Sequence, residues 1–311
     1  MKYIDFFRSD ITDKISSESY DIFVSAYNNN ERVVGIYNKI NATNKYYLLF
    51  SEYNIGEPPK DNISIQNNDD LIGFVKGLPK NENICIDITG FVRPYLILFV
   101  KALKKLELSK VTFIYSEPVQ YDKHQDTKFS KGERLGVSSI EGFAVESGDI
   151  PNDKKILIIG AGFESKSFEE VISKYKDIKT DNQYILIGFP SLRPDMFQQS
   201  MLRVPEIEKH YNKFKYASAS NPFMTAQKIH DTVNEFRGNG QKKVGVYLAP
   251  LSTKPQVLGF ALYALRNEDS DSLEVNVIYP FVKKYSEKTS KGIARTWQYK
   301  INFSQDVFRE D

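Results

Sequence analysis

One long stretch of this chain is written twice. From Ile84 to Leu103 an apolar run leads through a polar turn holding Arg93-Pro94 into a helix-length apolar run. From Val244 to Leu265 the same sequence of features returns around Lys254-Pro255. Further on, the apolar triplets 113–115 and 277–279 are each followed by a tyrosine, Tyr121 and Tyr285, and then by a Ser-Lys-Gly triplet at 130–132 and 290–292. The counterparts lie about 160 residues apart in a chain of 311, so one supersecondary unit is used twice. The repetition binds both halves to one strand–turn–helix layout. It also allows a pseudo-two-fold cleft that takes one basic turn from each half.

Strand-length apolar runs alternate with amphipathic stretches of helix length, the pattern of a parallel sheet with helical crossovers. In the first half the strands read as 21–26, 45–50, 83–88 and 110–115, with helices over 31–40, 69–78 and 94–106. In the second half they read as 155–159, 183–187, 243–248 and 273–279, with helices over 167–175, 195–201, 225–236 and 255–265. A last strand, 296–303, sets Trp297, Tyr299, Ile301 and Phe303 on one face as an edge or closing strand. Strands this uniformly apolar call for helices on both faces of each sheet. The expected class is therefore α/β, two tandem Rossmann-like halves of mostly parallel sheet flanked by helices. Residues 1–150 form the first half and 151–311 the second, with Gly148, Pro151 and Asn152 breaking both periodicities near 147–153. Asn28-Asn29-Asn30 reads as a polar loop tip.

Composition removes several function classes. A net charge of +2, with lysines scattered among nearly as many acids, argues against a nucleic-acid groove, so DNA is not an expected partner. Cys85 is the only cysteine, which rules out an intrachain disulfide and a Cys-based zinc site. Its place in an apolar strand marks a buried, inert thiol. His124, His210 and His230 have no mates at metal-ligand spacing, so neither a metal nor a cofactor is expected. Arg8 and Asp10 interrupt any signal-peptide core, and apolar runs such as 95–100 are too short to span a bilayer. The expected location is cytoplasmic, with no membrane partner.

Ligands of open parallel sheets bind at the carboxyl ends of the strands, and the candidate residues gather there. The two repeated turns carry Thr89 and Arg93 in one half and Ser252, Thr253 and Lys254 in the other. Hydroxyls, a cation and free helix N–H groups together suit an anion such as phosphate, and proline is at home in the first helical turn. The plainer alternative is that Thr and Ser cap the helices while Arg and Lys face solvent. The turn after residue 159 holds Gly160 and Gly162, but Ser165 stands where a dinucleotide fingerprint needs its third glycine. These glycines are expected to allow close backbone approach or a tight turn. Arg193, in the turn 191–195, is a further cation after a strand. Tyr121 and Tyr285 suit stacking on a base, on each other, or plain aromatic packing. Glu117 is the one carboxylate nominated as an acid or base, and Asp87 is placed to orient Arg93 or to cap its turn. No Ser/His/Asp order, Walker sequence or paired catalytic carboxylates are legible.

The segment 251–259, Leu-Ser-Thr-Lys-Pro-Gln-Val-Leu-Gly, resembles the Gly-Thr-Lys turn of the CRISPR-associated Rossmann-fold sensor family. Members of that family pair two Rossmann-like domains and bind cyclic oligoadenylate across the pair. The resemblance implies that Thr253 and Lys254 contact ligand; Leu251 and Ser252 stand where that family has glycines. Taken together, the expected function is a sensor or regulatory module holding a nucleotide or another phosphorylated small molecule. A protein partner in a bacterial defence complex goes with that reading. Two alternatives stay open: an enzyme acting on a nucleotide-like metabolite, and a structural adaptor within a larger complex.

Overall fold

The computed structural model describes residues 7–53, 58–60, 62–121, 130–144, 150–162, 164–204, 213–238, 243–286 and 290–304. His124, His210 and residues 147–149 of the expected break lie outside the described residues. The chain divides into two compact units.

Unit I holds residues 7–133 and 282–304. It begins with β1 (Phe7–Asp10), β2 (Ser19–Ala26), α1 (Glu31–Lys39), β3 (Asn41–Phe50), β4 (Asn62–Ile65) and α2 (Asn68–Lys76). It continues with β5 (Ile84–Asp87), α3 (Arg93–Lys105), β6 (Val111–Glu117) and β7 (Gln120–Tyr121). The strand β8 (Ser130–Ser139) carries the chain into unit II, residues 134–281. There follow β9 (Lys155–Gly160), α4 (Ser165–Lys174), β10 (Gln183–Gly188), α5 (Pro194–Leu202), β11 (Phe214–Ala217) and α6 (Pro222–Arg237). Then come β12 (Val244–Pro250), α7 (Lys254–Arg266) and β13 (Leu273–Tyr285), which leads back into unit I. There β14 (Ser290–Lys291) pairs with β7, and β15 (Arg295–Ile301) closes the chain.

Sheet I runs β1-β15-β6-β5-β2-β3-β4, and sheet II runs β11-β10-β9-β12-β13-β8. The pairs β2·β3, β3·β4, β2·β5 and β5·β6 are parallel, as are β9·β10, β10·β11, β9·β12 and β12·β13. Counted along the chain, the five parallel strands of each sheet stand in the order 3-2-1-4-5, that of a doubly wound Rossmann-like half. The duplication seen in the sequence is thus a duplication of topology. Gly132 and Gly292, which end the repeated triplets, also share a positive φ, +78° and +66°.

The apolar strands are buried as their composition requires: every residue of β5 and β6 is buried, and so is β9 after its first residue. Cys85 is wholly buried in the cluster of Phe23, Ile36 and Ile114, and burial raises its thiol pKa. Two features differ from the sequence reading. Each sheet has a third parallel strand at its edge, β4 and β11, only four residues long and of mixed polarity. No run of apolar residues announces either. Secondly, the units do not divide near residue 150. The expected closing strand, β15, is not at an edge but lies antiparallel between β6 and β1, so residues 282–304 belong with the first half of the chain. In return β8, which follows β6 and β7 in sequence, lies beside β13 in sheet II. Each half lends its final strand to the other's sheet.

Candidate functional site

The order 3-2-1-4-5 reverses direction between β2 and β5 in unit I and between β9 and β12 in unit II. Such switch points open a crevice at the carboxyl ends of the strands.

In unit I the residues at the switch point include a buried polar group. Asp87, the last residue of β5, is fully buried; its carboxylate accepts from Ser25 Oγ at 3.1 Å and from the Thr89 N–H at 3.0 Å. It therefore caps its own turn. Burial pushes its pKa up to about 6, against the opposing pull of the Thr89 and Ser25 hydrogen bonds and the Arg32 charge. The Thr89 hydroxyl accepts from the backbone N–H of Ser116 at 3.0 Å, which ties the turn after β5 to the end of β6. Asn30 caps α1 by accepting from the Arg32 N–H at 3.1 Å, and its amide donates to the Ser290 carbonyl at 3.3 Å. The buried Arg32 guanidinium donates to the Ser116 carbonyl at 2.7 Å and to Asn30 Oδ1 at 3.3 Å. Asn28 is buried too, and its Oδ1 has no hydrogen-bond partner among the described residues. The expectation of a loop tip at Asn28–Asn30 is corrected: only Asn29 is exposed, because the turn from β2 into α1 folds inward over the sheet. Gly90 fits between the loops. A Cβ there would strike the Ala26 carbonyl oxygen at the end of β2.

Glu117 stands apart from this group. It ends β6, and its Oε1 accepts from Trp297 Nε1 at 2.6 Å, with the Arg8 guanidinium 3.6 Å over the same indole. Its pKa is raised because burial outweighs the Trp297 hydrogen bond and the nearby Arg295 and Arg8 charges. Arg93 is half-buried at the first position of α3, followed by Pro94. Tyr121 hydrogen-bonds Tyr115, and Tyr285 meets Tyr53 edge-on at 6.5 Å, so both take part in aromatic or hydroxyl packing within unit I.

In unit II the glycines serve loop contact. A Cβ on Gly160 would lie 2.7 Å from Ser252 Oγ, and one on Gly162 would strike the Leu251 carbonyl oxygen. The turn after β9 and the turn after β12 therefore touch through backbone, as the corresponding turns of unit I do through Gly90. Ser252 is buried in this contact. Thr253 is the N-cap residue of α7, yet its hydroxyl donates to the Ala219 carbonyl at 2.6 Å instead of capping the helix. Gln256, beneath it, donates to the Ala217 carbonyl at 3.4 Å. Lys254, half-buried, is the first residue of α7, ahead of Pro255. Arg193 is the N-cap residue of α5, with its Nε 3.7 Å from Asp195 Oδ1.

The structure thus brings Asp87 and Thr89 together in unit I, and Gly160, Gly162, Ser252 and Thr253 together in unit II. The residues that sequence reading missed are Ser25, Asn28, Asn30, Arg32 and Ser116. One available signal was the polar run 28–30 sitting directly between an apolar strand and a helix.

No family model matches the chain, and no curated protein matches it. Among solved structures it is similar to "CobK precorrin-6A reductase", at 10% identity over 84% of this chain and 88% of that one, with a TM-score of 0.22. So low a score leaves the strand order as the ground for the fold. Among the described residues no helix is long and apolar enough to cross a membrane, and no cluster of three His, Cys, Asp or Glu side chains is placed to hold a metal ion.

Proposed function

We propose that the protein is a binding module which takes a nucleotide or another phosphorylated small molecule at the carboxyl ends of its parallel strands. In this reading it serves as a sensor or regulator in bacterial defence. One observation carries it. The helices α3 and α7 follow the fourth parallel strand of two sheets of identical order, and each opens on a cation and a proline. Neither N-cap residue, Val92 or Thr253, caps a backbone N–H of its helix with its side chain. Helix N–H groups without a side-chain cap, beside Arg93 or Lys254, favour an anion through both hydrogen bonding and the helix dipole. The resemblance of the 251–259 segment adds cyclic oligoadenylate to the ligands worth trying, with Lys254 as its contact.

A thermal-shift screen against mono-, di- and cyclic oligonucleotides tests the proposal. Ligand at a hundred times its Kd adds about 2.7 kcal/mol of stability. The expected result is a rise in Tm with one nucleotide class, lost in Arg93→Ala or Lys254→Ala. No shift with any nucleotide, or variants that respond like the parent, overturns it. A second reading rests on Asp87, whose carboxyl titrates near the working range of a general acid or base. Turnover of a ligand from the same screen, abolished in Asp87→Asn while binding persists, marks an enzyme.

A further inference from the structure

Among the described residues, four of the seven exposed large hydrophobic side chains fall in the stretch 189–224 of unit II. Phe189 is 52% exposed and Tyr216 43%, and Leu202 and Met224 are exposed in the same stretch of chain. Single exposed apolar residues are ordinary; a contiguous set marks a binding surface. Two of these, Phe189 and Tyr216, are rings, and they are contiguous with the half-buried ring of Phe197. Phe189 lies 5.0 Å from Phe197 and 6.4 Å from Tyr216, and Phe197 lies 6.1 Å from Tyr216, with interplanar angles of 59°, 75° and 47°. Their place in the fold is specific. Phe189 follows the last residue of β10, the second parallel strand, and its N–H donates to the Ala217 carbonyl at the end of β11 at 2.8 Å. Phe197 comes from α5, the helix that follows β10, and Tyr216 from β11. The cluster therefore sits at the carboxyl edge of sheet II, next to the switch-point strand β9. Arg193, the half-buried N-cap residue of α5, supplies a cation in the same turn.

We propose that Phe189, Phe197 and Tyr216 form a stacking wall for the base of a nucleotide whose phosphate lies at the switch point of unit II. This rests on the reading that the carboxyl end of sheet II takes a phosphorylated ligand, and it adds what kind: one that carries an aromatic base. Flat π-faces stack on exposed aromatic rings irrespective of base identity, and the tilted rings offer both faces and edges to a planar group. A sugar phosphate or bare pyrophosphate gains nothing from these rings.

Isothermal titration of the full chain with ATP, GTP, CTP and UTP selects the tightest ligand; its nucleoside and inorganic pyrophosphate are then titrated in parallel. Phe189→Ala and Tyr216→Ala are expected to weaken the nucleotide and the nucleoside by about 5- to 100-fold and to leave pyrophosphate unchanged. Phe189→Leu, which keeps an apolar group without a π-face, should resemble the alanine variant, and Phe189→Trp should restore binding. Lys254→Ala should do the reverse, weakening nucleotide and pyrophosphate but not nucleoside. A nucleoside sensitive to Phe189 beside a pyrophosphate indifferent to Lys254 sinks the phosphate reading alone. Nucleotide binding unaltered in Phe189→Ala, or absent in the parent protein at millimolar ligand, overturns the stacking wall and leaves the cluster as a protein-docking face.

Discussion

Among the described residues Asp87 has no cation as a hydrogen-bond partner: its buried carboxylate accepts from the Ser25 and Thr89 hydroxyls and from the Thr89 N–H. Its pKa of about 6 lies above the ordinary carboxylate value of 3.8. For an acid raised in this way the folded state binds the proton more tightly than the unfolded one. The stability contributed by neutral Asp87 is then complete below about pH 4 and is lost as pH rises through about 6. Two pKa units correspond to about 3 kcal/mol. Asp87→Asn keeps an acceptor for the Thr89 N–H and removes the titration. The variant should melt several degrees above the parent at pH 8, and the gap should close towards pH 4. Parallel melting curves over that range test the sign directly; a gap independent of pH contradicts it. The sequence placed Asp87 to orient Arg93 or to cap its turn, but its protonation depends on burial by residues distant in the chain.

At the level of elements, the loops at the two switch points meet through the same device with the parts exchanged. In unit I the glycine lies in the turn after the fourth parallel strand; in unit II it lies in the turn after the first. Gly162→Ala forces a methyl group onto the Leu251 carbonyl and should cost about 1–3 kcal/mol in urea melts. Gly73→Ala, within α2 where a Cβ meets nothing within 4 Å, is the matched control. It should stabilise by about 0.5–1 kcal/mol. Equal effects from the two substitutions would refute the loop contact. Gly162 was singled out in the sequence as a glycine for close backbone approach or a tight turn, while Gly90 in its equally tight contact was passed over. A glycine's motif is visible in the chain, but the backbone it meets comes from another strand. The same limit hid β4 and β11, whose four residues give no readable periodicity until a neighbouring strand fixes them in register.

At the level of the molecule, β15 lies between β6 and β1 although nearly two hundred residues separate it from β6. Truncation after residue 286 removes β14 and β15 and opens the edge of β6. Hydrogen exchange should then show protection lost in β1 and β6, with the β9·β12 ladder of unit II still protected. Unchanged protection in β6 would mean that β15 adds little to sheet I.

The sequence by itself determined the α/β class, the alternation of strands and helices, and the duplication, because each is written in local periodicity and in similarity between segments. It also marked Arg93 and Lys254 as the cations that open the paired helices, since proline after a cation at a strand-to-helix turn is a local signal. Only the tertiary structure decided which strand completes which sheet, where the units divide, and that Asn28, Asn30 and Arg32 join the buried polar group around Asp87. Those outcomes depend on pairing and burial between distant segments, and burial sets the hydrogen bonding and the charge state of a side chain whatever its neighbours in the chain.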